Sequence, residues 1–225
     1  MESAANFVQE VIDLAKQKSV DRIIGIYPET KHPTYFDSIG LSLEEPLLQI
    51  LTENGYNGPN APVFIQSFET ANLQDLRSKT DLPLIQLFDL VDAKPYDFVV
   101  NGDPRTYGDL TSPSELTNIA KYANGIGPFK QLIVPIGADG RLQTPTSLIE
   151  DAHAARLLVH PYTFRNEARY LAPDYNRHPE LEYEQFFNLG VDGLFSDFSD
   201  TAVAVRNRLA GNPNQQVPEP SIVAL

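Results

Sequence analysis

The chain carries a formal net charge of −13 over 225 residues, with a pI near 4.6, which argues against binding nucleic acid or an anionic membrane through charge. Its length fits one domain with a sizeable core, and the absence of cysteine excludes disulfide and thiolate chemistry. No stretch reaches the roughly 18 apolar residues of a membrane span, and residues 1–18 lack the basic start and apolar core of a signal peptide.

Predicted strands and helices alternate along the chain, beginning with an amphipathic helix over residues 3–18. Apolar runs predict strands at residues 22–27, 63–68, 84–88, 125–134, 157–163 and 192–196. Further helices are predicted at 43–54, 72–79, from Ser112, and at 144–156, 179–189 and 199–209, with long loops at 89–111 and 165–178. This alternation favours an α/β fold, with a parallel sheet and helices outside it.

The most informative stretch is RIIGIYPETKHP, residues 22–33. Its apolar start predicts a parallel strand buried on both faces, and Pro28 ends the regular ladder because it has no N–H to donate. Tyr27, Glu29 and Lys31 share one face if the extended geometry continues. A carboxylate and an ammonium then lie together at the carboxyl end of a buried strand, where α/β proteins place their ligands.

This stretch and four later motifs, in the same order, resemble the glycerophosphodiester phosphodiesterases, especially the larger periplasmic type. The later motifs are FIQSF (64–68), GIGP (125–128), LVHPYT (158–163) and GLFSDF (193–198). The agreement runs from about residue 3 to residue 210. The resemblance implies a TIM-type (β/α)8 barrel, which has eight strands. Since the chain has six predicted strands and opens on a helix, we expect an incomplete barrel whose first two strands lie upstream of Met1.

The resemblance also implies the roles of several side chains. Glu29 matches a family residue that binds a divalent cation, calcium in preference to magnesium, and carboxylate oxygens are the ligands that such cations favour. Lys31 matches a family lysine that lies near the phosphate. The expected substrate contacts beyond Lys31 are Gln66, Phe68, Tyr162 and Arg165.

From the residues alone, simpler interpretations of these side chains stay open. Glu29 also reads as a solvated carboxylate or a salt-bridge partner of Lys31. Gln66 and Phe68 could equally serve in the packing of the barrel. Arg165 could be a solvated loop residue. We interpret His160 as a hydrogen-bonded structural histidine.

The family's acid–base residues are missing from this sequence. The resembled enzymes use two histidines as general base and acid, one of them in a His-Arg-Gly motif, and two further cation ligands in a Glu-x-Asp motif. The chain contains neither motif. No catalytic residue is therefore assigned, and the chain alone is expected to be inactive or nearly so.

For the intact parent protein the resemblance implies hydrolysis of glycerophosphodiesters to an alcohol and glycerol 3-phosphate, within lipid and glycerol metabolism. One alternative is a non-catalytic, surface-anchored binding module on a degenerate barrel. Another is a different metal-dependent barrel enzyme, such as a sugar isomerase or lyase, since a fold hosts many functions. The expected partner is a small-molecule glycerophosphodiester.

The domain organisation predicted is a partial barrel over residues 1–210 and a polar linker with a tail over 211–225. Residues 217–221, VPEPS, resemble the start of a PEP-CTERM sorting signal of exported bacterial proteins, although a chance proline-rich linker has the same composition. Export to the periplasm or cell surface is expected on this basis, with membrane contact only through the tail. Two open sheet edges predict self-association.

Overall fold

The computed structural model describes the backbone of residues 2–211 and 222–224 and the side chains of residues 7–211. The chain divides into two compact units. The first holds residues 1–87, 94–105 and 121–124, and the second holds residues 88–93, 106–120 and 125–225.

The first unit contains five helices and two strands among its described residues. They are α1 (Glu2–Lys18), α2 (Pro33–Ser38), α3 (Glu44–Glu53), β1 (Ile65–Ser67), α4 (Thr70–Lys79), β2 (Leu84–Phe88, whose last residue belongs to the second unit) and α5 (Tyr96–Asn101). β1 and β2 are parallel, with Ile65 opposite Leu84 and Ser67 opposite Gln86. The apolar runs predicted these two strands because nearly every side chain in them is buried.

The strand predicted at residues 22–27 is wrong in its bounds and in its burial. The segment forms two isolated parallel bridges with β1 and the residues before it, Ile26 with Val63 and Glu29 with Gln66, and no continuous strand. Pro28 lies between them and has no N–H, so a continuous ladder cannot form. Ile23, predicted to be buried, is 77 % exposed.

The core of the first unit joins one face of α1 to the strands and to α3 and α4. Ile12 and Ala15 of α1 are buried against this core, whereas Phe7 and Val11 of the same helix are exposed. The fully buried members from the other elements are Leu51, Ile65, Leu73, Leu76 and Leu84. The helix over residues 3–18 is confirmed, but only part of its apolar surface is buried against the core.

Among its described residues, the second unit contains the remaining α-helices and strands. They are α6 (Tyr107–Leu110), α7 (Pro113–Ile119), β3 (Gly125–Pro128), α8 (Leu148–Ala154), β4 (Leu158–Val159), α9 (Pro179–Leu189), β5 (Gly193–Phe195), α10 (Ser199–Ala210) and β6 (Ile222–Ala224). β3 and β4 are parallel, with Gly125 opposite Leu158. Isolated parallel bridges continue this pairing from Phe129 to Tyr162 and join Phe164 to Ser196.

β6 is a strand that the sequence did not predict. It lies parallel to β5, with Gly193 opposite Ile222 and Phe195 opposite Ala224. β5, α10 and β6 therefore form a β-α-β unit, the usual way of connecting two parallel strands. The sheet edge at β5, one of those predicted to be open, is therefore paired with another strand. The rest of the predicted tail, residues 212–221 and 225, lies outside the described residues.

Several predicted boundaries move for local reasons. The segment 89–111, predicted as a loop, contains α5 and α6, and α6 begins with a reciprocal capping box between Thr106 and Asp109. Ser42 and Glu45 have the spacing of a capping box before α3, but the Ser42 hydroxyl bonds the side chains of Glu44 and Glu45 and caps no backbone amide. In the described part of the chain, no helix has the length and apolarity to cross a membrane.

Candidate functional site

Four backbone hydrogen bonds hold the Glu29 segment against β1 and the residues just before it. Ile26 N–H donates to the Pro62 carbonyl at 3.0 Å, and the Ile26 carbonyl accepts from Phe64 at 3.1 Å. Beyond the proline, Gln66 N–H donates to the Pro28 carbonyl and Thr30 N–H donates to the Gln66 carbonyl, both at 3.0 Å. The extended geometry thus continues past Pro28 and fixes the backbone of Glu29.

Glu29 has a half-buried carboxylate with an unsatisfied oxygen. Its Oε1 is buried and has no hydrogen-bond partner. Burial raises the pKa of Glu29 from its ordinary 4.5, and the positive charges of Lys31 and His32 oppose that rise. A buried acceptor without a donor is costly, so this oxygen favours a ligand that supplies positive charge.

Lys31 and His32 follow Glu29 at the surface. Both side chains are exposed, and His32 adopts the left-handed conformation, with φ of 56°, immediately before α2. Within this described segment, no ion pair of 4 Å or less joins Glu29 to Lys31. The salt-bridge interpretation therefore lacks a direct contact, and Lys31 acts on Glu29 through its charge.

Gln66 and Phe68 lie at the end of β1, beside the Glu29 segment. The Gln66 side chain is only 8 % exposed, and its Oε1 also has no hydrogen-bond partner. Gln66 and Glu29 are directly paired residues of parallel segments, so their side chains leave the sheet on the same face. Phe68, two residues further on, is half-buried. The structure thus brings three predicted site residues to one strand end.

Glu69 is a member of this region that the sequence reasoning missed. It is 2 % exposed, its Oε2 accepts from Thr34 N–H at 3.1 Å, and its Oε1 has no partner. Burial raises the pKa of Glu69, the hydrogen bonds from Thr34 and the charge of His32 lower it, and Asp97 raises it further. An acidic residue just past a buried strand was the available signal, of the same kind that drew attention to Glu29.

Tyr162 and Arg165, in the second unit, are held by other protein groups. The Tyr162 hydroxyl donates to the Phe88 carbonyl at 2.8 Å. The Arg165 guanidinium pairs with Glu167 at 2.6 Å and Asp197 at 3.0 Å and lies over the Tyr170 ring. Two carboxylates therefore balance its charge, which supports a structural role, and a substrate phosphate would have to compete with them.

The described histidines outside the first unit have structural surroundings. His160 is buried, and burial lowers its pKa to about 4, against a smaller rise from Asp192. It is therefore neutral near neutral pH, in line with the predicted structural role. His153 pairs with Asp192 at 2.9 Å, and His178 pairs with Glu180 at 3.1 Å.

A second feature that the sequence reasoning missed is a buried ion pair in the second unit. Lys130 Nζ lies 2.7 Å from Glu182 Oε1 and 5.3 Å from the Phe164 ring centroid. The two residues are 52 positions apart in the sequence. Their separation explains why no local pattern indicated the contact.

The donor set for a metal ion is incomplete in the part of the chain that the structure describes. There, no group of three or more histidine, cysteine, aspartate or glutamate side chains is placed to hold one. The unsatisfied oxygens of Glu29 and Gln66 are nevertheless the hard donors that calcium and magnesium prefer. These residues fit part of a divalent-cation site.

Comparison with known proteins gives a consistent family. Residues 3–201 match the glycerophosphoryl diester phosphodiesterase family. The chain is 38 % identical over 208 residues to the glycerophosphodiester phosphodiesterase GDPD6 of Arabidopsis thaliana, covering 87 % of this chain and 54 % of the relative. It is 29 % identical over 203 residues to a glycerophosphodiester phosphodiesterase of Haemophilus influenzae, covering 83 % and 54 %.

The fold comparison agrees with the predicted α/β class. A solved structure described as a glycerophosphoryl diester phosphodiesterase of Silicibacter pomeroyi matches with a TM-score of 0.60 at 16 % identity, covering 89 % of this chain and 56 % of that one. The chain spans about half the length of the relatives it matches. With 199 of its 225 residues inside the family match, running from 3 to 201, the chain belongs to the glycerophosphoryl diester phosphodiesterase family.

Proposed function

We propose that this chain forms part of an enzyme that hydrolyses glycerophosphodiesters to an alcohol and glycerol 3-phosphate. Family membership gives the general reaction. The observation that carries the proposal for this chain is the pair of unsatisfied buried oxygens, on Glu29 and Gln66, at the carboxyl end of β1. Ligand sites of α/β folds lie at that end of the strands.

We assign Glu29 as one ligand of a divalent cation, with calcium preferred to magnesium. When bound, such a cation supplies positive charge against the phosphodiester and stabilises charge in the transition state. What the chain itself contributes is a carboxylate whose backbone is fixed on both sides of Pro28 and whose Oε1 has no competing partner. The other protein ligands are assigned to residues beyond this sequence, which contains no Glu-x-Asp motif.

Substrate contacts follow from the same strand end. Lys31 is an exposed cation close enough to Glu29 to lower its pKa, so we propose that it binds the phosphate, which an acidic protein must attract with a local cation. Gln66 and Phe68 line the substrate side of β1. For Tyr162 and Arg165, in the second unit, the role of substrate contact is proposed from family membership alone, and Arg165 would have to exchange one of its two carboxylate partners to bind phosphate.

The acid–base chemistry is not assigned to this chain. The sequence has no His-Arg pair, and the buried His160, with a pKa of about 4, is a poor general base near neutral pH. We therefore propose that the two catalytic histidines belong to protein outside this sequence. Export to the periplasm or cell surface stays a prediction from residues 217–221.

The test is a measurement of glycerol 3-phosphate release from glycerophosphocholine. The purified chain is compared with a chimera in which it replaces the matching part of the Arabidopsis thaliana relative, each with calcium, with magnesium and with a chelator. We expect no turnover by the chain alone and cation-dependent turnover by the chimera. Turnover by the chain alone would refute the assignment of the histidines, and an inactive but folded chimera would favour the non-catalytic binding module.

A further inference from the structure

Thr30, the residue next to Glu29, has every polar group engaged. Its N–H donates to the Gln66 carbonyl at 3.0 Å, and its carbonyl accepts from the Ser67 hydroxyl at 3.3 Å. Its own hydroxyl donates to Asn72 Oδ1 at 2.6 Å. Thr30 is buried, so these bonds are made away from water and are individually expensive to break.

The hydrogen-bonded chain continues from Asn72 to Glu44, at the start of α3. The Asn72 amide donates to Glu44 Oε1. Glu44 Oε2 accepts from the Ser42 hydroxyl at 2.7 Å and from Leu43 N–H at 3.0 Å. Glu44 is only 3 % exposed, and both of its oxygens have partners. A buried carboxylate on one helix is thus linked, through one side chain of α4, to the residue that follows Glu29.

Glu29 differs sharply from its neighbours in this network. The polar groups of Thr30 and Glu44 are satisfied, whereas Glu29 Oε1 is buried with no partner. A fully satisfied buried network is rigid, and carboxylates that bind metals are commonly oriented by groups one shell further out. If the hydrogen bonds of Glu44 served only to join α3 to α4, they would end at Asn72. Instead the hydrogen-bonded chain continues from Asn72 to Thr30, in the Glu29 segment.

We propose that Glu44 is a positioning residue for Glu29 and acts through Asn72 and Thr30. Glu44 does not touch the ligand. It fixes the Asn72 side chain, which holds the Thr30 hydroxyl and so the backbone that presents the Glu29 carboxylate. The inference rests on the proposed role of Glu29 as a cation ligand, and it adds three residues to which no role had been given.

The first test is amide hydrogen exchange and does not depend on cation binding. Thr30→Val keeps the side-chain shape but removes the hydroxyl, and Asn72→Ala removes the link. We expect exchange at residue 30 and Gln66, whose amides hold the Glu29 segment to β1, to rise about tenfold in both variants. The Ile65 amide, which donates to the Pro83 carbonyl at 2.9 Å, should keep its wild-type rate.

Conservative variants separate positioning from general damage. Thr30→Ser keeps the hydroxyl and should restore slow exchange at Gln66. Glu44→Gln keeps an acceptor for Asn72 and should disturb exchange less than Glu44→Ala does. Unchanged exchange at residue 30 and Gln66 in Thr30→Val, or an equal rise at Ile65, would overturn the inference.

The second test is calcium affinity, measured by titration calorimetry on the chimera. Removing an outer-shell partner typically costs about 10- to 100-fold in metal affinity, so we expect a loss of that size in Thr30→Val and Asn72→Ala. Leu76→Ala is the matched control, since Leu76 is fully buried in the same unit and outside the network. It should lower stability and leave calcium affinity unchanged.

The two tests address different claims, so one claim can fail while the other stands. If Leu76→Ala weakens calcium binding as much as Thr30→Val does, the network has no special role and the inference is overturned. If exchange changes as expected but the wild-type chimera binds no calcium, the positioning of the Glu29 segment is supported and the cation assignment is what fails.

Discussion

The buried Lys130–Glu182 pair provides the sharpest stability prediction. The two side-chain groups are 10 % and 5 % exposed and lie 2.7 Å apart. Replacing Lys130 with Met removes the only ion-pair partner that Glu182 has among the described residues and leaves a buried carboxylate whose Oε2 is already unpartnered. The wild-type environment raises the pKa of Glu182 by burial, against the lowering effect of Lys130.

The size of the effect follows from this burial. Removing one partner of a buried pair costs about 3–5 kcal/mol, out of a total stability of about 5–15 kcal/mol. For a chain of this size that corresponds to a fall in Tm of about 6–20 °C. The double variant Lys130→Met/Glu182→Leu should recover most of the loss, because replacing both charges with apolar groups is often neutral.

The pH dependence has a definite sign. Because the folded-state pKa of Glu182 is raised above 4.5, this group binds its proton more tightly in the folded state than in the unfolded state. Its contribution to stability therefore falls as pH rises from about 4.5. Without Lys130 the folded-state pKa rises further, so the Lys130→Met loss should be smaller in acid than at neutral pH.

The assay is urea unfolding followed by circular dichroism, with Arg141→Met as the control. Arg141 pairs with Asp174 at 3.3 Å across largely exposed side chains, and such pairs contribute about 0–1 kcal/mol. A Lys130→Met loss no larger than the control's, or a double variant as unstable as the sum of the two single ones, would refute the reasoning.

Three further stability predictions are measured by the same unfolding assay. Asp97→Ala should cost about 1–3 kcal/mol, because its carboxylate accepts from a hydroxyl and an amide at the start of α4 at 2.9 and 2.8 Å; a loss under about 0.5 kcal/mol would contradict this. Gly108→Ala should cost about 1–3 kcal/mol, because its Cβ would lie 2.7 Å from Val91 Cγ2 and 2.9 Å from the Val91 carbonyl oxygen. Gly211→Ala is the control, because its Cβ would come no closer than 3.4 Å to its neighbours, and it should change stability by less than about 0.5 kcal/mol. An equal loss of stability in Gly108→Ala and Gly211→Ala would refute the steric argument. His160 resists protonation in the folded state, so its contribution to the free energy of unfolding falls as pH drops from 6.5 towards about 4, opposite in sign to the contribution of Glu182. The stability difference between wild type and His160→Gln should therefore shrink over that range, and a difference that does not change with pH would contradict this.

The strands that the sequence predicts well are those whose burial is set by neighbours on both sides. β1, β2 and β3 are buried along their whole length, so an apolar run was a sufficient signal. The Glu29 segment failed as a strand for a local reason, since Pro28 interrupts its ladder and Ile23 faces solvent. An apolar run cannot distinguish a buried strand from a segment that pairs on one side only.

The candidate site was predictable where one short stretch carries it and not where distant residues meet. Glu29 and Lys31 follow from a single motif. The Glu44–Asn72–Thr30 network joins positions 28 and 42 residues apart, and no local pattern indicates it. Glu69 could have been found by the rule that selected Glu29, an acid just past a buried strand, but its unsatisfied oxygen is visible only in three dimensions.

The most direct test of the central claim, that Glu29 belongs to a phosphodiester-hydrolysing site, is the rate of glycerol 3-phosphate release by the chimera carrying Glu29→Gln. Glu45→Gln is the matched control, because Glu45 is an exposed glutamate paired with Lys79 in the same unit. If Glu29 holds the cation, turnover stays cation-dependent in Glu45→Gln and is lost in Glu29→Gln. Equal turnover in the two variants would contradict this claim.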